Sequence, residues 1–190
     1  RTFLYNLKSK DKKLVKEQEI PSGHNPDNYI VERIECPSHD GRMVPITITR
    51  HKDTVLDGSS NLLLYGYGSY GNSMSPGFSS TRLSLINRNI IWVTAHIRGG
   101  MERGMKWWKE GKLLNKKNTF EDYIAVGKYL VEKKYTSKGK IIGMGGSAGG
   151  LLMGAVVNQA PELFLGLIMA VPFVDSLTTN LDHSLPLTVG

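Results

Sequence analysis

The sequence predicts an α/β fold in which the strands of a mostly parallel sheet alternate with helices. Four short apolar runs follow one another, and continuous apolar runs are typical of strands that are covered on both faces. The segments between them carry apolar residues at helical spacing. Strands and helices in this order require parallel pairing with right-handed crossovers. The predicted strands are residues 62–65, 90–93, 140–145 and 165–171, and the predicted helices are residues 79–89, 119–134 and 147–160.

Two details of these elements follow from single residues. In residues 44–49 the apolar side chains of valine and isoleucine alternate with proline and threonine, which predicts a half-buried strand. Pro45 cannot donate to a β-ladder, so we expect this strand at an edge of the sheet. The helix over residues 119–134 is expected to begin at a capping box formed by Thr119 and Asp122.

Composition is that of an ordinary soluble protein with one sizeable core. The chain has 190 residues, of which 40% are hydrophobic and 22% charged. The one cysteine excludes an internal disulfide and fits a reducing compartment. No apolar run approaches 18 residues, so no membrane span is expected. The net charge of +7 comes without any nucleic-acid-binding motif, so we expect a solvated basic face and no nucleic-acid partner.

The most informative motif lies where the third predicted strand meets its helix. Gly145, Ser147 and Gly149 form a G-x-S-x-G sequence between an apolar strand and an apolar helix, which is the pattern of a nucleophile elbow. The chain must reverse there within a few residues, so the serine backbone is strained and side chains at the two glycines would collide. The serine hydroxyl should then project at the carboxyl edge of the sheet, near a helix N-terminus that favours negative charge.

The same residues allow two other interpretations. Gly143, Gly145 and Ala148 also spell G-x-G-x-x-A after a strand, the fingerprint of a dinucleotide site. That site needs an acidic residue at the end of the next strand, and Glu162 follows Pro161 at the beginning of that strand instead. A tight glycine turn without chemistry is the third interpretation.

Other chemistry-bearing residues follow the neighbouring predicted strands. Residues 65–71 alternate glycines with tyrosines, and a tyrosine hydroxyl at that edge could donate to an oxyanion. His96 precedes the serine, whereas a catalytic base of this fold follows it, so we expect a structural role for His96. Asp175 and His183 lie too close after Ser147 to be the expected acid and base. The cysteine and histidines have no metal-ligand spacing, so no metal site is expected from them.

Six segments together resemble the prolyl oligopeptidase family, and their residues are most similar to those of its oligopeptidase B branch. They occur in the family's order across nearly the whole chain, most strongly from residue 61 to residue 188. They are residues 65–71 (YGYGSYG), 96–100 (HIRGG), 117–120 (KNTF), 145–150 (GGSAGG), 158–164 (NQAPELF) and 171–175 (VPFVD).

This resemblance implies a cytoplasmic serine peptidase that cleaves short peptides, after Arg or Lys in the oligopeptidase B branch, without metal or cofactor. It implies that Ser147 is the nucleophile, that the Ala148 N–H and the Tyr67 hydroxyl hold the oxyanion, and that Tyr70 contacts substrate. The fold implied is the N-terminal part of an α/β-hydrolase domain at residues 23–190, preceded at residues 1–22 by a remnant of the last blade of a β-propeller and a linker.

The resemblance also predicts what the chain lacks. The family's acid and histidine, and the acidic residues credited with specificity for basic side chains, fall after residue 190. We therefore expect a fragment that is nearly inactive alone, and it stays open that the propeller or the C-terminal part is carried by another chain. The alternatives are a non-catalytic remnant and an esterase of the same fold.

Overall fold

The computed structural model describes residues 1–21, 23–75 and 77–185. Within them the chain forms strands β1 (Thr2–Tyr5), β2 (Lys12–Lys16), β3 (Tyr29–Pro37), β4 (Met43–His51), β5 (Leu62–Tyr65), β6 (Ile91–Ala95), β7 (Ile141–Gly146) and β8 (Phe164–Ala170). The helices are α1 (Ser80–Ile86), α2 (Met105–Lys109), α3 (Lys117–Glu132), α4 (Ala148–Gln159) and α5 (Ser176–Leu181).

One mixed sheet contains strands β3 to β8 in the spatial order β3-β4-β6-β5-β7-β8. Strands β5, β6, β7 and β8 pair in parallel, which confirms the parallel sheet predicted from the four apolar runs. Strands β3 and β4 extend it with antiparallel pairing. Because parallel strands end at the same edge of a sheet, the loops after β5 to β8 meet there.

The central strand β5 is covered on both of its faces. Leu62 and Leu64 belong to the large core beneath α3 and α4. Leu63 points the other way and packs with Ile86 of α1 and Trp92 of β6. Burying a leucine side chain completely contributes roughly 1.5–3 kcal/mol, so these contacts hold the strand that carries the loop after residue 65.

The predicted edge position of Pro45 is wrong, because β4 lies between β3 and β6. The Pro45 carbonyl oxygen still accepts a hydrogen bond from the His96 N–H at 3.0 Å. In an antiparallel pair the reciprocal bond would run from residue 45 to the His96 carbonyl, and proline has no N–H to donate. The indole Nε1 of Trp107 donates to that carbonyl at 3.0 Å instead, so a side chain from α2 replaces the missing ladder bond.

The predicted capping box of α3 is also wrong. The helix begins two residues earlier than expected, at Lys117, so Thr119 and Asp122 lie inside it and are completely buried. The Thr119 hydroxyl is close to two carbonyl oxygens, those of Arg98 at 2.8 Å and Gly111 at 3.1 Å. These residues therefore attach α3 to the loop after β6 and do not terminate the helix.

The first two strands form a separate antiparallel hairpin whose residues are all exposed. The division of the chain at residue 22, and the origin of the hairpin as part of a propeller blade, stay predictions.

We expect the 190-residue chain to associate with itself through the region of β8. Within the described residues β8 pairs on one side only. Leu165 (62% exposed) lies on β8, Val171 (83%) directly follows it, and Leu177 (74%) lies in the first turn of α5. Unpaired strand edges and contiguous apolar surface favour association. Light scattering after size exclusion should show oligomers, and Leu165→Lys combined with Ile168→Glu should reduce them. A monodisperse wild-type monomer with a sharp melting transition would contradict this prediction.

Candidate active site

Ser147 lies between the end of β7 and the first residue of α4. Its backbone angles are φ 54° and ψ −117°, a region that non-glycine residues rarely adopt. Such strain costs about 1–3 kcal/mol and persists only where the surrounding structure imposes it. The residue is exposed, so the strained turn presents the serine at the carboxyl edge of the sheet, as the motif predicted.

The glycines around Ser147 are required by contact. A Cβ atom on Gly145 would collide with the carbonyl oxygen of Gly149 across the turn. A Cβ atom on Gly149 would lie 2.9 Å from the Gly66 carbonyl oxygen and 3.3 Å from Cδ2 of Tyr67. The first turn of α4 thus packs directly against the loop that follows β5.

Backbone hydrogen bonds hold the turn against its strain. The Ser147 N–H donates to the Ala170 carbonyl oxygen at the end of β8, at 2.9 Å. The Ser147 carbonyl oxygen accepts from the N–H groups of Phe173 at 3.0 Å and Gly150 at 2.8 Å. The serine backbone is therefore fixed from the β8 side and from α4, which leaves the side chain to project outward.

The loop after β5 places Tyr67 beside the elbow. Burial raises the pKa of the Tyr67 hydroxyl, Tyr70 and Tyr65 add to this, and hydrogen-bonding groups of Asn72 and Ser147 lower it in part. The Tyr67 ring lies against the first turn of α4, where its Cδ2 would be 3.3 Å from a Cβ atom on Gly149. A tyrosine that stays protonated can donate a hydrogen bond at neutral pH, which is what an oxyanion needs.

Tyr70 lies further out on the same loop. Its ring is 53% exposed and 6.5 Å from the ring of Tyr67, and its φ is +57°. Ala148 is the first residue of α4, where backbone N–H groups have no acceptor within the helix. The structure therefore brings Ser147, Ala148, Tyr67 and Tyr70 to one edge, where an attacking oxygen and two donors could act on an acyl group.

His96 does not belong to this arrangement. It is 2% exposed, with Nε2 at 2.8 Å from the Thr47 hydroxyl and Nδ1 at 3.4 Å from the Glu102 carboxylate. It follows β6, which lies on the far side of β5 from β7, so roughly 10 Å separates the two strands. The expected structural role of His96 is confirmed.

The dinucleotide interpretation does not fit the structure. Glu162 lies in the 3₁₀ turn Pro161–Leu163 at the beginning of β8, the opposite end of that strand from Ser147. A ribose bound at the elbow would therefore have no acidic partner from Glu162. Over residues 1–21, 23–75 and 77–185, no three His, Cys, Asp or Glu side chains come together to hold a metal ion. None of the helices in those ranges is long and apolar enough to cross a membrane.

Sequence patterns missed three residues that support the site. Asn72 directly follows the tyrosine-glycine motif, and only its position there could have drawn attention to it. Arg98 is buried and paired with Asp122, which the HIRGG motif does not reveal. Lys116 precedes the KNTF motif and contacts the Tyr67 loop, which no spacing rule predicts.

A parallel sheet with a strained, exposed serine between a strand and a helix defines an α/β-hydrolase domain. The chain belongs to the prolyl oligopeptidase family, a family of serine peptidases, because the family's sequence profile matches residues 76–190. The resemblance predicted from the six motifs is confirmed.

Two curated relatives match the chain over nearly its whole length. Over its full length the chain is 47% identical to dipeptidyl aminopeptidase BI of Pseudoxanthomonas mexicana, of which it covers 26%. It is 43% identical to protease 2 of Moraxella lacunata, with 98% of this chain and 27% of that protein covered.

Solved structures agree with this assignment. Oligopeptidase B from Trypanosoma brucei with covalently bound antipain superposes with a TM-score of 0.92 at 40% identity, over 98% of this chain and 26% of that one. Oligopeptidase B from Leishmania major gives a TM-score of 0.91 at 43% identity, again over 98% and 26%. The chain thus spans about a quarter of the length of its relatives.

Proposed function

We propose that the protein containing this chain is a serine oligopeptidase that cleaves short peptides through an acyl-enzyme on Ser147. The single observation that carries the proposal is the exposed serine, held at positive φ between β7 and α4 with the Tyr67 hydroxyl beside it. The backbone conformation of this serine is unfavourable in free energy, and strained backbone of this kind occurs at functional sites. A serine at this position of a strand-to-helix turn serves as a nucleophile.

In the proposed reaction, Ser147 Oγ attacks the scissile carbonyl carbon while a histidine takes the hydroxyl proton. The carbonyl oxygen becomes an oxyanion that accepts hydrogen bonds from the Tyr67 hydroxyl and the Ala148 N–H. The histidine returns the proton to the leaving amine, and the C–N bond breaks to leave an acyl-enzyme. Water then attacks this ester by the same route, which releases the second product and restores the serine.

The general base of this reaction is proposed to lie outside the described residues. His24 precedes β3, His39 lies between β3 and β4, and His51 ends β4. His96 contacts Thr47 and Glu102. His183 is exposed and follows α5. In the part of the chain that the structure describes, no histidine is hydrogen-bonded to the hydroxyl of Ser147. Removing the base from such a site costs on the order of 10⁶ in kcat, so the chain by itself should be nearly inactive.

We further propose cleavage after Arg or Lys, a cytoplasmic location and an origin of residues 1–22 in the last blade of a propeller. These proposals are supported by the similarity to oligopeptidase B structures and by the exposed hairpin β1–β2.

The test measures the hydrolysis of arylamides of Arg, Lys, Pro and Ala by two proteins. One is the 190-residue chain, and the other is the full gene product that contains it. We expect the full product to release arylamine from Arg and Lys substrates fastest, and the chain alone to show no turnover. Turnover by the chain that Ser147→Ala abolishes would show that a base exists among these residues. An inactive full product with Ser147 intact would favour a non-catalytic module instead.

Tyr67→Phe should lower kcat of the full gene product by about 10²–10³, because it removes one oxyanion donor and keeps the ring. Tyr5→Phe is the matched control, since it removes a hydroxyl from an exposed ring on β1, outside the site. Steady-state kinetics on an Arg arylamide measure both. Equal small losses in the two variants would exclude the Tyr67 hydroxyl from the oxyanion site.

A further inference from the structure

Lys116 reaches from the residue just before α3 to the loop that carries Tyr67. Its Nζ donates to the Gly68 carbonyl oxygen at 2.6 Å and to the Ser69 hydroxyl oxygen at 2.8 Å. Across the described ranges of the chain, no carboxylate forms a salt bridge with this ammonium group. The lysine thus directs its charge at the backbone and side chain of one loop.

The two acceptors depend on this lysine. Gly68 and Ser69 are both buried, and among the described residues no other donor reaches the Gly68 carbonyl oxygen or the Ser69 hydroxyl oxygen. A buried carbonyl without a donor is strongly unfavourable. Removing the amine would therefore leave this peptide group unsatisfied unless the loop moved to find water.

Space around Gly68 is too narrow for the loop to adjust locally. Gly68 has φ +67°, and a Cβ atom on it would collide with Cγ2 of Thr119 and crowd the side chain of Ile97. The peptide lies in a slot between α3 and the loop after β6. Losing the hydrogen bond to Lys116 should consequently displace the whole segment rather than rotate one bond.

Hydrogen bonds fix the backbone on both sides of Tyr67. On one side the Gly66 N–H donates to the Met144 carbonyl oxygen of β7 at 3.1 Å. On the other side the carbonyl oxygen of Gly68, the residue that follows Tyr67, is held by Lys116. Because a tyrosine side chain has only two rotatable bonds before its ring is placed, the backbone on both sides decides where its hydroxyl lies.

We propose that Lys116 is a positioning residue of the oxyanion site, which fixes the Tyr67 hydroxyl opposite Ser147 by binding the Gly68 carbonyl and the Ser69 hydroxyl. This inference rests on the proposed function, since it assigns a role within the same site. Lys116 acts only through the loop and does not touch the reacting atoms.

Burial lowers the pKa of Lys116 to about 8, which is consistent with this placement. At pH 7 the group is mostly an ammonium with three donors, and two of them are used by the loop. Its neighbour Lys117 is exposed and begins α3, so it provides a control of the same residue type at the next position.

The first test does not depend on catalysis and tolerates self-association of the chain. Hydrogen exchange with mass spectrometry is compared for the wild-type chain, Lys116→Met and Lys117→Met. In Lys116→Met, peptides covering residues 66–72 should exchange about tenfold faster, while peptides from β7 and from the C-terminal half of α3 keep their protection. Lys117→Met should match the wild type. Unchanged exchange of residues 66–72 in Lys116→Met would overturn the proposal.

The second test is a double-mutant cycle in the full gene product. Lys116→Met should lower kcat about 10-fold or more with KM changed less than about twofold, and Lys116→Arg should restore part of the loss. In a Tyr67→Phe background the same change should have almost no further effect, because the group being positioned is gone. An equal loss in both backgrounds would show a general structural role and refute the positioning role.

The two tests separate this inference from the proposed function. Should Ser147→Ala leave arylamidase activity intact, the peptidase proposal fails, while the exchange experiment still decides whether Lys116 orders the Tyr67 loop.

Discussion

Ser147→Ala in the full gene product should reduce kcat for an Arg arylamide by about 10⁶-fold, with little change in KM. The substitution removes the only atom that can form the acyl-enzyme, while the elbow, the oxyanion donors and the substrate contacts remain. The substitution should change the backbone strain of this turn little, because alanine, like serine, must adopt its positive φ. Steady-state kinetics with enzyme of verified purity, and labelling by a fluorophosphonate, measure the effect.

Ser84→Ala is a suitable control for this experiment, since Ser84 is exposed on α1, away from the edge that carries the elbow. It should retain wild-type kcat and labelling. Ser147→Ala that still turns over the substrate at more than a few per cent of the wild-type rate would eliminate Ser147 as the nucleophile and with it the peptidase mechanism.

Asp122→Ala should lower the free energy of unfolding by about 3–5 kcal/mol, because it leaves a buried guanidinium without its partner. Asp122 is fully buried and accepts from Arg98 Nη2 at 2.6 Å, Arg98 Nε at 2.9 Å and the Arg98 N–H at 3.0 Å. The Ser38 hydroxyl donates to the same carboxylate at 2.6 Å. Arg98 itself is 1% exposed.

The neighbouring Asp40 does not replace Asp122. It pairs with the outer nitrogens of Arg98 and is partly exposed. Burial acts to raise the pKa of Asp40, but the hydrogen bond and charge of Arg98 lower it overall, so this carboxylate is already ionised and already used. Asp122→Ala therefore leaves the Nε and the backbone N–H of Arg98 without their acceptor, because Asp40 contacts only Nη1 and Nη2.

Urea denaturation measures this loss, with Glu121→Ala on the adjacent, partly exposed position of α3 as the control. We expect Glu121→Ala to change stability by less than about 1 kcal/mol. Asp122→Asn should fall between the two, because an amide oxygen still accepts a hydrogen bond but carries no charge. A loss below about 1 kcal/mol for Asp122→Ala would show that the pair does not hold α3 to the loop after β6.

Local patterns predicted the parts of the molecule in which neighbours along the chain determine the geometry. The elbow is such a part, because a strand that turns into a helix within a few residues needs small residues at Gly145 and Gly149 whatever surrounds it. The four parallel strands are another, since a strand covered on both faces must be apolar at every position.

Two predictions failed where partners come from elsewhere in the chain. Pro45 indicated an edge strand, but Trp107 of α2 donates the bond that proline cannot, so an inner position is satisfied. Thr119 and Asp122 have the spacing of a helix cap, yet both side chains bind the loop after β6 from within α3. The spacing of residues along the sequence indicates which backbone hydrogen bonds can form locally. It carries no information on hydrogen-bonding partners that belong to distant segments of the chain.

By itself the sequence determined that Ser147 lies on a strained turn at the end of a parallel strand. The reason is steric, because a side chain at Gly145 or Gly149 would collide with the backbone across that turn. Only the tertiary structure decided that Tyr67 stands beside that serine and that Lys116 holds its loop. It also decided that His96 is engaged across the sheet, away from the elbow. These relations depend on strand order and on hydrogen bonds between segments far apart in the chain, which no local pattern encodes.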